Sequence, residues 1–215
     1  MKIKNGGSAI IKDKKSVFID KTVKIGKNVV IYENNRIEGE TVIGDGVVIL
    51  PNCYIKNCII GKNSTFNFSQ AEDATVGENV LVGPFARLRP KSDIRDNAKI
   101  GNFVEIKNAV IGEGTKVSHL AYVGDADVGK GCNIGCGAIF VNYNGRTKNR
   151  TFVGDNCFIG SNCNIIAPVK IESDSYICAG TTVTNDVSSD DFVIGRVRQE
   201  IKPNRAHEYL KKFKE

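Results

Sequence analysis

Aliphatic residues recur at every sixth position along most of this 215-residue chain. The first run is unbroken from Ile19 to Ile55, and the register resumes at Val76 and continues, with two one-residue shifts, to Phe140. After an interruption the pattern returns and ends at Val183. Amphipathic helices space apolar residues by three and four, and hairpin sheets place turns every eight to twelve residues or so, so neither produces a strict six. The sequence therefore predicts a solenoid of stacked repeats.

Each repeat has a constant internal order. The position after the aliphatic residue is often Gly, and the fourth position after it is small; it holds Val29, Thr41, Val47, Cys53, Ala86, Ser92, Ala98, Ala138, Cys157, Cys163 and Thr181. A short strand, a Gly-assisted corner and a small inward side chain describe one side of a triangular coil. About 27 repeats, three to a coil, predict an all-β parallel β-helix of roughly nine coils.

The seven Cys are an odd number and include no C-x-x-C pair. A secreted disulfide framework and a zinc cluster are therefore not indicated. Four of them occupy the small position of a repeat, namely Cys53, Cys132, Cys157 and Cys163. We expect reduced thiols that serve as small apolar side chains, and no metal site.

Charge and hydropathy limit the partners. The 30 Lys and Arg exceed the 24 Asp and Glu, and the basic residues are spread along the chain except for a cluster in residues 202–214. This distribution fits a phosphorylated ligand and is too diffuse for a nucleic-acid surface. No segment has the length of a signal peptide's apolar run or of a membrane helix. We expect a cytoplasmic protein that binds neither nucleic acid nor membrane.

Two segments interrupt the solenoid, which we predict as one domain over residues 1–195. Residues 67–75 are predicted to form one irregular coil, and residues 141–152 to form an inserted surface loop. The loop holds Tyr143, Lys148 and Arg150, which are functional candidates because binding groups often lie on loops. Residues 196–215 are predicted to form a basic helical tail, capped by Asn204, that covers the last coil.

Several segments hold residues that the repeat does not require. They are Gly83–Pro90, Gly101–Lys107, Ser118–Asp125, Asn142–Gly145 and Ala179–Thr184. Together they closely resemble the acetyltransferase part of the bifunctional bacterial enzymes that join glucosamine-1-phosphate N-acetyltransferase to N-acetylglucosamine-1-phosphate uridyltransferase, within the hexapeptide-repeat superfamily. The resemblance covers nearly the whole chain and implies left-handed coils. It also implies acetyl transfer from acetyl-CoA to the amino group of glucosamine 1-phosphate, a step towards UDP-N-acetylglucosamine.

The uridyltransferase part of that family precedes the coils, whereas this chain begins almost directly with them. We therefore expect no uridylyl transfer and none of its metal chemistry. The sequence leaves open whether a separate uridyltransferase acts as a partner.

The resemblance implies catalytic roles for three residues. His119 is the general base, since an imidazole can accept a proton from the sugar amine at neutral pH. Glu105 either orients that imidazole or binds a sugar hydroxyl. Ser161 lies beside the thioester carbonyl and stabilises the oxyanion.

The remaining implied roles concern binding. Arg89 and Lys107 form the phosphate-binding pair, because fixed cationic donors suit a dianion. The other substrate contacts are Tyr122, Asn133, Tyr143 and Lys148, and the acetyl-CoA contacts are Asn142, Cys136, Ser161, Ala179 and Arg196. No base is paired with Cys136, so direct transfer is favoured over an acetyl-cysteine intermediate. In this family subunits of a parallel trimer share the site, which implies a homotrimer.

Two other functions compete with this hypothesis. The chain could acetylate another amino sugar or sugar nucleotide, although Arg89 with Lys107 favours a free sugar phosphate. It could also be a non-catalytic partner of a separate uridyltransferase, but a scaffold does not need His119, Asn142, Tyr143 and Ser161 together. A zinc carbonic anhydrase of this fold is excluded, because it needs three His ligands per site and only His119 lies in the coils.

Overall fold

The computed structural model describes residues 9–210 as thirty short strands and one helix. The first eight residues of the predicted domain and the last five of the predicted tail lie outside this range. The first ten strands are β1 Ala9–Ile11, β2 Phe18–Ile19, β3 Lys24–Ile25, β4 Val29–Ile31, β5 Arg36–Glu38, β6 Val42–Ile43, β7 Val48–Ile49, β8 Tyr54–Lys56, β9 Ile59–Ile60 and β10 Thr65–Phe66. The next ten are β11 Gln70–Glu72, β12 Thr75–Val76, β13 Leu81–Val82, β14 Arg87–Leu88, β15 Asp93–Ile94, β16 Lys99–Asn102, β17 Glu105–Lys107, β18 Val110–Ile111, β19 Lys116–His119 and β20 Tyr122–Gly124. The last ten are β21 Ala126–Val128, β22 Asn133–Ile134, β23 Ile139–Val141, β24 Thr151–Val153, β25 Phe158–Ile159, β26 Asn164–Ile166, β27 Lys170–Ile171, β28 Tyr176–Ile177, β29 Thr182–Val183 and β30 Phe192–Val193, and the helix is α1 Ala206–Leu210.

Every third strand belongs to the same parallel sheet. Face A runs from β1 to β30 with eleven strands, face B from β2 to β29 with ten, and face C from β3 to β27 with nine. Paired residues are mostly 17 or 18 positions apart, so one circuit of three strands makes one coil. The predicted parallel β-helix is confirmed, with about ten coils in the described residues against the nine predicted.

The interior is filled as the six-residue pattern predicts. Aliphatic side chains such as Ile37, Ile49 and Ile100 are fully buried, and the predicted small positions from Val29 to Thr181 are buried with them. All seven Cys are free, and only Cys136 is not buried. Burial raises the pKa of Cys53 and Cys58 to about 11, so these thiols stay protonated at neutral pH. The predicted packing role of the Cys in the small position is confirmed.

Residues 67–75 lie in a part of the stack where the six-residue spacing is broken, as the sequence predicts, but the coils continue through it. β11 pairs with β8 on one side and with β14 on the other, so the stack is continuous. The coil formed by β9, β10 and β11 has Ile60, Phe66 and Ala71 as inward residues, all buried. The repeats here are partly shortened from six residues to five, and Tyr54 pairs with Gln70 only 16 positions on. A search for large aliphatic residues at a spacing of six passes over such a coil.

Corners with positive φ separate the faces. We name corner AB the turns between faces A and B, and corner BC the turns between faces B and C. Corner BC places mainly Asn or Asp in the left-handed region, including Asp73, Asn108 and Asp125, as these residue types tolerate it. Corner AB instead carries a stacked column of Phe68, Phe85 and Phe103, followed by Leu120. Both corners border face B, where the candidate site lies.

The insertion is a loop over residues 142–150, slightly shorter than predicted because its ends belong to β23 and β24. The guanidinium of Arg150 fixes the end of the loop, where the chain re-enters the solenoid. Its Nε donates to Asp127 Oδ2 at 2.7 Å, Nη1 to the Asn108 carbonyl at 3.0 Å and Nη2 to the Ala126 carbonyl at 3.1 Å. Arg150, a functional candidate from the sequence, therefore anchors the loop to corner BC.

In the tail, only Ala206–Leu210 of the described residues is helical. Asn204 has a φ of 58° and forms the turn before the helix, so its predicted capping role is wrong. Within residues 9–210 no helix is both long and apolar enough to cross a membrane.

Candidate active site

Three cationic side chains meet where face B reaches corner BC. Lys107 Nζ lies 3.0 Å from both carboxylate oxygens of Asp125, and Arg89 Nη1 lies 2.7 Å from Glu105 Oε1. Burial would lower the pKa of Lys107, but the bond to Asp125 raises it above its ordinary value. Lys148 comes from the loop, and the neighbouring Lys107 lowers its pKa. Adjacent ammonium groups repel each other, so the cluster favours an anion between them.

Tyr122 extends this cluster along face B. Its ring lies across Gly124, where an added Cβ would come within 2.3 Å of the Tyr122 hydroxyl. A side chain at position 124 would therefore displace the ring. The hydroxyl accepts a long hydrogen bond of 3.4 Å from Asn142 Nδ2 at the start of the loop. Tyr122 thus presents a phenol at the cationic corner, as the sequence predicts for a substrate contact.

Asp125 lies beneath the cluster and was not among the sequence candidates. Its carboxylate is 8% exposed, and Asn108 Nδ2 donates to it at 2.6 Å. Asn142 Nδ2 also donates to it, at Oδ2. Burial alone would raise the pKa of Asp125, but the bonds from Asn108, Lys107 and Asn142 lower it below its ordinary value of 3.8. The group is therefore ionised at neutral pH and can only accept hydrogen bonds.

His119 is the last residue of β19 on face A and lies at corner AB, on the other side of face B from the cationic cluster. Its register partner is Asn102 at the end of β16, and His119 Nδ1 is 2.6 Å from Asn102 Oδ1. An amide oxygen only accepts, so Nδ1 carries the hydrogen and Nε2 keeps its lone pair. The imidazole is exposed, and Nε2 can accept a proton from a ligand. Asn102 was also missed by the sequence analysis.

The predicted acetyl-CoA contacts continue along the same corner, except Asn142, which lies at corner BC. The register of face A places Cys136, Ser161 and Ala179 at the position of His119 in the next three coils. At about 4.8 Å per coil, the column from His119 to Ala179 is roughly 14 Å long. Arg196 ends it, with Nη1 donating to the Ala179 carbonyl at 2.9 Å. A groove for an extended ligand with an anionic end fits this arrangement.

Three predicted residues depart from the expected arrangement. Asn133 projects from face A, around corner AB from the cationic cluster. Tyr143 is 55% exposed in the loop and donates its hydroxyl hydrogen to the Gly145 carbonyl. Glu105 does not orient the imidazole, because Asn102 holds His119 while Arg89 binds the Glu105 carboxylate. Among residues 9–210, no group of three or more His, Cys, Asp and Glu could hold a metal ion.

Comparisons with solved structures agree with the fold. The chain is similar to the UDP-N-acetylglucosamine acyltransferase of Arabidopsis, with a TM-score of 0.61 and 20% identity over 82% of this chain and 68% of that one. It is also similar to the Bacteroides fragilis enzyme of that name, with a TM-score of 0.54 and 20% identity over 81% of this chain and 68% of that one. At this identity the likeness concerns the fold alone, and the predicted left-handed β-helix is confirmed.

Sequence relatives are much more similar. The chain is 46% identical to the bifunctional protein GlmU of Clostridium kluyveri over 92% of its own length and 43% of the relative's. It is 48% identical to GlmU of Clostridium novyi over the same shares, and 49% identical to GlmU of Listeria monocytogenes over 87% of its length and 41% of the relative's. The chain thus spans less than half the length of these relatives. The family described as bacterial transferase hexapeptide (six repeats) matches residues 73–108 and 150–185. The hexapeptide-repeat match over part of the chain and the similarity to GlmU proteins over most of it confirm the resemblance found in the motifs.

Proposed function

We propose that the chain transfers the acetyl group of acetyl-CoA to the amino group of glucosamine 1-phosphate. The observation that carries the proposal is the cluster of Arg89, Lys107 and Lys148 at corner BC, with His119 at corner AB on the other side of face B. A sugar phosphate lying across face B would place its phosphate among the cations. The ring would be turned so that the amine, on the carbon next to the phosphate-bearing one, faces His119.

The chemistry follows from the hydrogen bonding of His119. Its Nδ1 hydrogen is bound to Asn102, so Nε2 takes the proton as the amine nitrogen attacks the thioester carbonyl. A C–N bond forms, and the tetrahedral oxyanion can accept a hydrogen bond from Ser161 on the same column. The C–S bond then breaks, and the CoA thiolate takes the proton back from His119. Electron pairs and protons balance without a covalent enzyme intermediate.

The column along corner AB supports acetyl-CoA as the donor. Cys136 and Ala179 are small enough to admit a pantetheine arm beside the coils, and Arg196 supplies a cation at the far end for a CoA phosphate. Because acetyl-CoA is a cytoplasmic metabolite, we also propose a cytoplasmic location.

We further propose that the working unit is a homotrimer. Asn133 projects from face A, whereas the proposed phosphate site is at corner BC, on the far side of face B. If it contacts that substrate, it must do so from a second copy. Light scattering should then give a mass of three times 23.4 kDa, and a fully active monomer would refute the shared site.

A thiol-release assay with acetyl-CoA tests the function. We expect turnover with glucosamine 1-phosphate, and far less with glucosamine 6-phosphate or glucosamine. A preference for another amino sugar would support the competing transferase hypothesis, and no turnover on any of them would support a non-catalytic partner of a uridyltransferase.

A further inference from the structure

The buried carboxylate of Asp125 connects three consecutive coils at corner BC. It accepts from Lys107 Nζ and Asn108 Nδ2 in the coil before it, and from Asn142 Nδ2 in the coil after it. Asn142 is itself only 8% exposed and begins the loop that carries Lys148. The carboxylate therefore links the cationic cluster directly to the loop.

The charge of Asp125 decides which way the amide of Asn142 faces. A carboxylate has no hydrogen to donate, so only the Nδ2 side of the amide can face it. Asn142 Nδ2 also donates to the Tyr122 hydroxyl, which is consistent with the same orientation of the amide. Within residues 9–210 no donor is bound to Asn142 Oδ1. The amide oxygen is therefore directed away from Asp125, as an acceptor for a ligand N–H.

From these contacts we infer that Asp125 is a positioning residue for the proposed acetyl transfer. It fixes the ammonium of Lys107 for the phosphate and turns the amide oxygen of Asn142 towards a hydrogen-bond donor of the ligand bound at corner BC. The inference rests on the proposed function for its kinetic consequence, but the orientation of Asn142 can be tested without it.

The test is Asp125→Asn, which keeps the shape and the tolerance of positive φ but lets Asn142 turn either amide face towards it. Asp73 provides a matched control. It occupies the same corner column at a φ of 46° and accepts from Asn57 Nδ2 at 3.0 Å, but no cation of residues 9–210 is bound to it. Asp73→Asn removes the same charge from the same corner, four coils away from Asn142.

The kinetic readout is a double-mutant cycle in the thiol-release assay. Asp125→Asn should lower kcat by about 10-fold or more, on the scale of removing partners that orient functional groups, whereas Asp73→Asn should stay within about 2-fold. In an Asn142→Ala background, the effect of Asp125→Asn should shrink to less than about a third, because one of the groups it orients is gone. A fully additive loss would overturn the inference, because Asp125 would then not act through Asn142.

A second readout does not require activity. The side-chain amide signal of Asn142 in a ¹H–¹⁵N spectrum, assigned by its loss in Asn142→Ala, should move in Asp125→Asn and stay in place in Asp73→Asn. An unmoved signal in Asp125→Asn would overturn the inference whatever the enzyme does. If the wild type is inactive but the Asn142 signal moves in Asp125→Asn, the proposed reaction is rejected and the orientation of Asn142 by Asp125 is kept.

Discussion

The hydrogen bond between His119 and Asn102 makes a prediction about turnover. The imidazole is exposed, and the 2.6 Å bond from its Nδ1 to Asn102 Oδ1 fixes both the tautomer and the ring orientation. In Asn102→Ala the ring can rotate and carry its hydrogen on Nε2, which blocks proton acceptance. Loss of such an orienting partner costs about 10- to 100-fold, so we expect kcat to fall by that factor. This corresponds to a barrier raised by roughly 1.4–2.8 kcal/mol.

The assay is steady-state thiol release with each substrate varied in turn. KM for glucosamine 1-phosphate should stay within about 2-fold, since the phosphate-binding cations lie at corner BC and not beside Asn102. Asn102→Asp keeps an acceptor for Nδ1–H and should recover most of kcat. Asn164→Ala, an exposed strand Asn of face B with a single long bond to Thr182, is the matched control. Unchanged kcat in Asn102→Ala would refute this reasoning, and equal losses in both Asn102 variants would indicate a structural role.

Three further predictions concern stability and reactivity. Phe66→Ala removes a fully buried ring from a five-residue repeat. The free energy of unfolding in denaturant should therefore fall by about 3–5 kcal/mol, and a loss below about 1 kcal/mol would contradict close packing at this position. The lowered pKa of Asp125 means that its stabilising contribution is present above the ordinary value of 3.8 and is lost as the pH falls through the folded-state pKa. The wild-type melting temperature should therefore drop more steeply below pH 4 than that of Asp125→Asn. If the two melting temperatures fall in parallel with pH, Asp125 does not make this stabilising contribution. Cys136, the one Cys that is not buried, should be alkylated first by maleimide and be protected by acetyl-CoA; labelling that acetyl-CoA does not slow would place the donor elsewhere.

The fold could be predicted because its interior requires the same pattern of inward residues in every repeat. Each side of a coil needs one large and one small inward residue, and this requirement is visible wherever the side has six residues. Ala71 marks the limit of that approach. There the side has five residues and the large position holds a methyl group, so neither the spacing nor the residue type signals a strand.

The site was predicted less completely, because outward residues obey no such pattern. Arg89, Lys107 and His119 were found through resemblance to a family, whereas Asn102 and Asp125 were missed. A signal for both was present in the sequence. Asn102 and His119 are 17 residues apart, as are Asp125 and Asn142, which is the length of one coil in this region. Polar residues separated by one coil length are neighbours in space, so a search at that spacing would have paired them.

Stacking also explains why the loop leaves the solenoid at corner BC. Its first residue, Asn142, follows Asp125 in the corner column and is fixed by the buried carboxylate. Its last residue, Arg150, returns to Asp127 and to the Asn108 carbonyl, one coil further down. Both ends are thus bound to charged or polar groups of coils that also hold Lys107. A loop inserted at corner AB would meet Phe103 and Leu120, which offer no such partners. The polar corner therefore allows Lys148 to be held beside Lys107, and the anion site depends on the coils beneath the loop as much as on the loop itself.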